Sequence, residues 1–162
     1  MLTNKLGEYQ ILYLNAGQDA AWPGKLPLNS WLLLVLADEI NKELFDQVTV
    51  ECVKNRPFGL CCAGTAAHIL EDWFDEEIVS AALRWEEKHH QPYDYDFAPV
   101  TTADSSIDEG LWFAATLAPN MAHAPIETIV CLDLTGQSQA RIRELIPLLN
   151  SGWFPPDTND ND

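Results

Sequence analysis

Three carboxylates that follow apolar runs are the residues of this chain best placed to do chemistry. Asp38, Asp104 and Asp133 each lie at or just beyond the end of such a run. Because the carboxyl ends of parallel strands meet at one edge of a sheet, oxygen ligands from neighbouring strands could hold a hard cation such as Mg²⁺ there. The sequence therefore offers these three acids as a magnesium site. The alternative is structural, since Asp is also a preferred helix N-cap.

Phosphate chemistry is disfavoured because the chain lacks a cationic clamp. Ala63-Gly64-Thr65 ends one apolar run and could open a helix N-terminus to an anion. However, the sequence has no Walker lysine, no G-x-G-x-x-G, and no Lys or Arg between residues 57 and 83. A phosphate would meet acids at this place, which argues against a nucleotide-binding domain.

Covalent catalysis has candidate residues but no complete constellation. Cys61 and Cys62 are adjacent inside an apolar run, where thiols are inert. Cys52 and Cys131 also lack C-x-x-C or zinc-like spacing, so all four cysteines are expected to be small buried hydrophobes in a reducing compartment. His68 lies beside acids and could act as a tuned base, or it could be a half-buried polar residue with a carboxylate neighbour.

The acidic charge of the chain is large and uneven. The formal net charge is −16, and residues 66–109 hold twelve acids against Arg84 and Lys88. Such a field repels nucleic acids and anionic membranes, so neither is expected as a partner. It suits a basic protein partner, although high solubility alone also explains many acidic proteins.

The segment from Pro92 to Phe97 alternates aromatic and acidic side chains directly after the most acidic stretch. Exposed Tyr beside Asp is typical of a contact surface, because the rings supply contact area and the acids steer a basic partner. The alternative is a strand entry in which Tyr93, Tyr95 and Phe97 point at the core. The predicted partner-binding residues are Asp72, Asp75, Glu76, Tyr93, Asp94, Tyr95 and Asp96.

The elements that must position these residues follow from the alternation of apolar runs with amphipathic stretches. Strands are predicted at 10–14 (an edge strand), 31–37, 58–63, 97–103 and 128–134, and helices at 38–55, 73–89, from a capping box at 105–108 to 117, and from 138 to 149. This alternation predicts an α/β fold, a three-layer doubly wound sandwich with a mostly parallel sheet of about four to five strands. Residues 1–154 are expected to form one domain, and residues 155–162 a disordered acidic tail.

Localisation is expected to be cytoplasmic. The first ten residues carry Lys5 and Glu8 but no apolar signal core, and the longest apolar run, from Trp31 to Ala37, is too short to span a bilayer.

Two short motifs resemble those of an uncharacterised family of small bacterial α/β domains of unknown function. They are Thr101-Thr102-Ala103-Asp104 followed by Glu109-Gly110-Leu111-Trp112-Phe113-Ala114, and Ala63-Gly64 followed by Asp72-Trp73-Phe74-Asp75. The resemblance covers about residues 31–134. It implies the α/β fold and leaves function open. The chain departs from the family by Ala63, where an aromatic residue is usual, and by its extended Tyr/Asp segment.

These observations favour a non-enzymatic, acidic protein-binding domain of an inhibitor or immunity-like kind for a basic partner. The main alternative is a Mg²⁺-dependent enzyme, and no other cofactor is expected. A small-ligand binder lined by Trp31, Trp73 and Trp112 is a third possibility, although core packing is the more usual role of such rings.

Overall fold

A computed structural model describes residues 4–156, which fold around one six-stranded sheet. The strands are β1 (Lys5–Leu6), β2 (Tyr9–Asn15), β3 (Trp31–Leu36), β4 (Gly59–Ala63), β5 (Val100–Asp104) and β6 (Thr128–Asp133). The helices are α1 (Lys42–Lys54), α2 (Ala67–His89), α3 (Ile107–Thr116) and α4 (Gln139–Asn150). Within these described residues, no helix is long and apolar enough to cross a membrane.

The strand order is β1-β2-β6-β3-β4-β5, and every pairing is parallel except that of β1 with β2. The predicted α/β fold with a mostly parallel sheet is confirmed. The sheet has six strands rather than four to five, because the antiparallel β1 is only two residues long and leaves no pattern in the sequence. β2, predicted as an edge strand, lies inside the sheet between β1 and β6. Residues 157–162 of the predicted tail lie outside the described part of the chain.

Helices cover both faces of the sheet and create two hydrophobic cores. On one face, α1 and α2 bury Phe45 and Phe74 against the sheet. On the other face, α3 and α4 bury Leu111 and Leu145. Strand β3 lies between the two cores and is buried at all six positions, which explains why its sequence is continuously apolar rather than alternating.

Trp31 belongs to this packing rather than to a ligand site. Its side chain is buried at the start of β3, and its Nε1 donates a hydrogen bond to the carbonyl oxygen of Asn55, 3.2 Å away. A buried indole N–H normally finds such a partner. Trp31 therefore joins the first core to the end of α1.

Helices α1 and α3 begin behind other N-cap residues than their sequence signals indicate. Helix α1 starts behind Asn41, whose side chain accepts a hydrogen bond from the backbone N–H of Leu44 (3.1 Å), and not at Asp38. Helix α3 starts behind Ser106, which accepts from the N–H of Glu109 (3.2 Å), so its capping box lies one residue later than predicted. The shift of α3 is within the usual spread of a helix terminus, whereas α1 begins four residues later than predicted.

Helix α3 packs on β4 at a distance that only glycine permits. Gly110 is buried, and a Cβ atom at this position would overlap the Cβ of Ala63. Both residues belong to the motifs described above, and their close contact accounts for the small residue at position 63.

Gly110→Ala is expected to lower the free energy of unfolding by about 1–3 kcal/mol, because helix and strand must separate to admit the added methyl group. Urea unfolding followed by tryptophan fluorescence measures the change. Gly24→Ala is the control, since a Cβ there meets nothing within 4 Å. Equal stabilities for the two variants would show that the close contact of Gly110 is not limiting.

Candidate functional site

The carboxyl ends of the strands do not bring the three predicted metal ligands together. Asp104 on β5 and Asp133 on β6 lie in one row across the sheet, with Ala63 and Leu36 between them. Three strand spacings separate their Cα atoms by about 14 Å. Among residues 4–156, no three or more His, Cys, Asp or Glu side chains form a group that could hold a metal ion. The geometry of the described residues therefore gives the magnesium hypothesis no support.

Asp133 is fully occupied by the protein itself. Its buried carboxylate accepts hydrogen bonds at Oδ2 from the hydroxyl of Tyr13 (2.5 Å) and the N–H of Ser138 (3.0 Å). At Oδ1 it accepts from the N–H and hydroxyl of Thr135 (2.8 and 2.7 Å) and from the N–H of Gly136 (3.2 Å). Burial and the bond to Asp133 raise the pKa of Tyr13. Asp133 thus anchors the turn between β6 and α4.

Asp38 also has a structural contact, which joins two loops. Its Oδ1 accepts a hydrogen bond from the N–H of Thr65 (3.2 Å), while the hydroxyl of Thr65 donates to the carbonyl oxygen of Asp38 (2.6 Å). Gly64, directly before Thr65, has a φ of +112° and lies against the backbone of Ala37. This contact ties the loop after β3 to the start of α2.

The remaining strand-end acid, Asp104, lies in a cluster of carboxylates beside His68. Burial, followed by the charge of Glu109, raises the pKa of Asp104, and His68 lowers it. Burial, followed by the charge of Asp75, raises the pKa of Glu71, and His68 lowers it as well. His68 itself is exposed. The cluster therefore favours proton uptake by carboxyl groups.

The four cysteines supply no nucleophile to this cluster. All four are buried and free, as predicted. Burial raises the pKa of Cys61 to about 11 and that of Cys131 to about 12, and it also raises the pKa of Cys52 and Cys62. At neutral pH these thiols stay protonated, and a protonated thiol is a poor nucleophile.

Glu71→Gln is expected to stabilise the protein at pH 7, because the folded state disfavours the charged form of this carboxyl. The gain should be only a few tenths of a kcal/mol, since solvent screens the charge of a half-buried group. The folded-state pKa is raised, so the wild type loses stability as the pH rises above the unfolded value of about 4.3. The gain should therefore vanish near pH 3.5. Thermal unfolding at both pH values, with Glu87→Gln as the control for net charge, measures it; a gain that persists at low pH would contradict this explanation.

The predicted acids of α2 lie on its exposed side together with apolar residues. Asp72 and Glu76 are exposed, and the same side of the helix carries Val79 and Leu83, which are 47% and 57% exposed. These positions recur at intervals of three and four residues, so they form one stripe along the helix. Asp75, beside this stripe, accepts a hydrogen bond from the hydroxyl of Thr101 at 2.6 Å.

The aromatic segment that follows α2 lies on the surface. Strand β5 begins only at Val100, and the preceding residues form a short 3₁₀ helix from Tyr95 to Phe97, where Asp94 accepts a hydrogen bond from the N–H of Asp96 (3.0 Å). Tyr95 is 51% exposed and Phe97 is 71% exposed. The rings therefore do not enter the core as residues of a strand would.

Tyr93 fixes this segment against α2. Its ring meets those of Trp85 and Tyr95 edge-on, at centroid distances of 5.7 and 5.1 Å. Its N–H donates to Glu86 Oε1 at 2.9 Å, and Glu86 lies one helical turn from Leu83. The α2 stripe and the aromatic segment thus adjoin. Together they form the acidic–aromatic face, which comprises Asp72, Asp75, Glu76, Val79, Leu83, Tyr93, Asp94, Tyr95 and Asp96.

A groove at the opposite ends of the strands was not predicted. It has a volume of about 830 Å³ and lies between the end of α1, the second half of α2 and the residues that precede β4 and β5. Apolar walls include Val53, Ile78 and Trp85, and Lys54 and Arg56 also line it. These residues come from separate chain segments, so no local pattern could have revealed the groove.

The comparisons with known proteins leave function open while settling the family. The family model DUF7684, a domain of unknown function, matches residues 10–150. No curated protein and no solved structure matches the chain. The match covers most of the sequence and agrees with the uncharacterised family that the motifs indicated. The chain therefore belongs to the DUF7684 family.

Proposed function

We propose that this protein is a protein-binding domain that presents its acidic–aromatic face to a basic partner, in an inhibitor or immunity-like role. The observation that supports this function is the combination of exposed apolar side chains with carboxylates, Asp72 and Glu76, that form no salt bridge within residues 4–156. Leu83 and Tyr95 are each more than half exposed. Asp94 and Asp96 flank Tyr95, and Leu83 shares the α2 stripe with Asp72 and Glu76.

The carboxylates of this face are available for a partner. The salt bridges within residues 4–156 involve Asp19, Glu77, Asp108 and Glu144, and none involves Asp72 or Glu76. Exposed acids without internal cations can pair with the Lys and Arg side chains of a second protein. The net charge of −16 would add long-range attraction and speed the encounter.

The exposed apolar residues of this face supply binding free energy that charged residues alone do not. Acids at a contact rim give specificity and fast association, whereas buried aromatic and aliphatic side chains provide most of the binding free energy. Val79, Leu83 and Tyr95 would form such a centre. A complementary partner surface would be amphipathic, with apolar side chains surrounded by Lys and Arg.

Capture from a lysate of the native cells tests this function with two matched variants. The face variant carries Asp72→Asn, Glu76→Gln and Leu83→Ala. The control variant carries Glu39→Gln, Glu127→Gln and Leu148→Ala, which remove the same charge and shorten one exposed leucine at other positions.

The wild type and the control variant are expected to retain a basic protein that the face variant loses. Retention should fall as salt rises from about 50 to about 300 mM, since screening weakens exposed charge pairs. Equal retention by the face variant, or retention that is indifferent to salt, would refute the proposal.

A further inference from the structure

We propose that the groove between α1, α2 and residues 91–99 binds an amphipathic carboxylate, a small organic acid with an apolar body. This inference does not rest on the proposed protein partner, although Tyr93 and Asp94 line the groove and also belong to the acidic–aromatic face. The groove lies at the amino ends of β4 and β5, away from the strand-end acids, and nothing in the family assignment gives it a role.

The size and walls of the groove suit a small organic molecule. Its volume of about 830 Å³ lies within the roughly 300–1,000 Å³ of small-molecule sites. Val53 of α1 and Ile78 and Trp85 of α2 line it, and Phe58 and Phe97 contribute rings from the loops before β4 and β5. Such a lining would bury an aliphatic or aromatic body.

The charge at the groove is opposite to that of the rest of the protein. The chain has nine Lys and Arg residues, and three of them, Lys54, Arg56 and Arg84, line this one groove. Arg84 donates to Glu77 at 2.6 Å. Lys54 and Arg56 are exposed and form no salt bridge within the described part of the chain, while Asp94 is the remaining acid of the lining. Two cations beside an apolar cavity select a carboxylate head.

Arg56 occupies a backbone position that favours glycine. It follows the end of α1 with a φ of +54°, in the left-handed region that ends many helices and that Gly usually occupies. An arginine there adds a guanidinium to the groove at the expense of backbone strain. Arg56→Gly therefore removes the cation and relieves the backbone at once, so a loss of binding cannot come from a loss of folding.

The groove and the acidic–aromatic face meet at Tyr93 and Asp94, but each can be tested through residues that the other does not contain. Ile78, Ala81 and Trp85 face the groove, whereas Asp72 and Leu83 belong to the exposed stripe. A failure of carboxylate binding would leave the protein-binding proposal untouched. A failure to bind a basic protein would likewise leave the groove untouched.

The experiment is a fluorescence titration with 11-(dansylamino)undecanoic acid and with its methyl ester, which has the same body without the charge. The wild type is expected to bind the acid roughly tenfold more tightly than the ester, since one charge-assisted contact is worth about that factor. Arg56→Gly should remove most of this preference. His90→Gly, which relieves the same φ of +54° outside the groove, should bind like the wild type.

A second pair of variants removes charge without changing the backbone. Lys54→Gln is expected to weaken binding of the acid several-fold, and Lys88→Gln, on an exposed residue outside the groove, is expected to leave it unchanged. The proposal would be overturned if acid and ester bound equally, if neither bound, or if Arg56→Gly and His90→Gly had the same effect.

Discussion

Asp133→Ala is expected to lower the free energy of unfolding by about 3–5 kcal/mol, because it removes the acceptor of a buried hydrogen-bond network. The substitution deletes five hydrogen bonds at a fully buried position. It also leaves the hydroxyl of Tyr13 and the N–H of Ser138 without acceptors, and an unpaired buried donor costs more than the bond itself contributes.

Two further variants separate the network from the general cost of removing a carboxylate. Tyr13→Phe deletes one of the five bonds and should cost about 1 kcal/mol. Asp94→Ala deletes an exposed carboxylate that caps only a short 3₁₀ helix and should cost about 1 kcal/mol or less. Urea unfolding gives all three values. A loss below about 1 kcal/mol for Asp133→Ala would contradict its role as an anchor.

Gly64→Ala is expected to cost about 3–5 kcal/mol, because two penalties add. The φ of +112° is unfavourable for any L-residue with a side chain. A Cβ atom would also lie 2.7 Å from Asp38 Oδ1 and in collision with the carbonyl oxygen of Ala37. The neighbour is backbone, so it cannot turn aside as a flexible side chain would.

Gly152→Ala measures the conformational part of the cost of Gly64→Ala without the steric part. Gly152 has a φ of +91°, yet a Cβ there meets nothing within 4 Å, so only the conformational penalty of about 1 kcal/mol should remain. The difference between the two variants measures the steric clash at Gly64. Similar losses for both would show that the contact between the β3 and β4 loops is not tight. Chemical denaturation is again the measurement.

The fold class was predictable because burial leaves a mark on each element. The continuous apolar run of β3 reflects cover on both faces, and the helices show apolar residues at helical spacing. The strand order was not predictable, because β6 inserts between β2 and β3 from far along the chain. The start of α2 was missed because its N-cap, Ala66, has no side chain that could cap a helix.

The candidate sites likewise include features that the sequence could identify and features that it could not. The acids of the exposed α2 stripe could be identified from spacing, whereas the alternation in residues 93–97 fitted either a buried strand entry or a surface. The late start of β5 at Val100 decides between them, and that depends on its pairing with β4. The magnesium prediction assumed that strand ends converge, but Asp104 and Asp133 end strands that are three positions apart.

The most direct test of the protein-binding function is the affinity of the purified basic partner for the two matched variants, measured by titration calorimetry. The face variant removes two rim charges and one apolar side chain from the acidic–aromatic face. It is expected to bind at least about a hundredfold more weakly than the wild type, which corresponds to about 2.8 kcal/mol. The control variant should bind within about twofold of the wild type. Equal weakening of both variants, or no weakening of either, would contradict the proposed function.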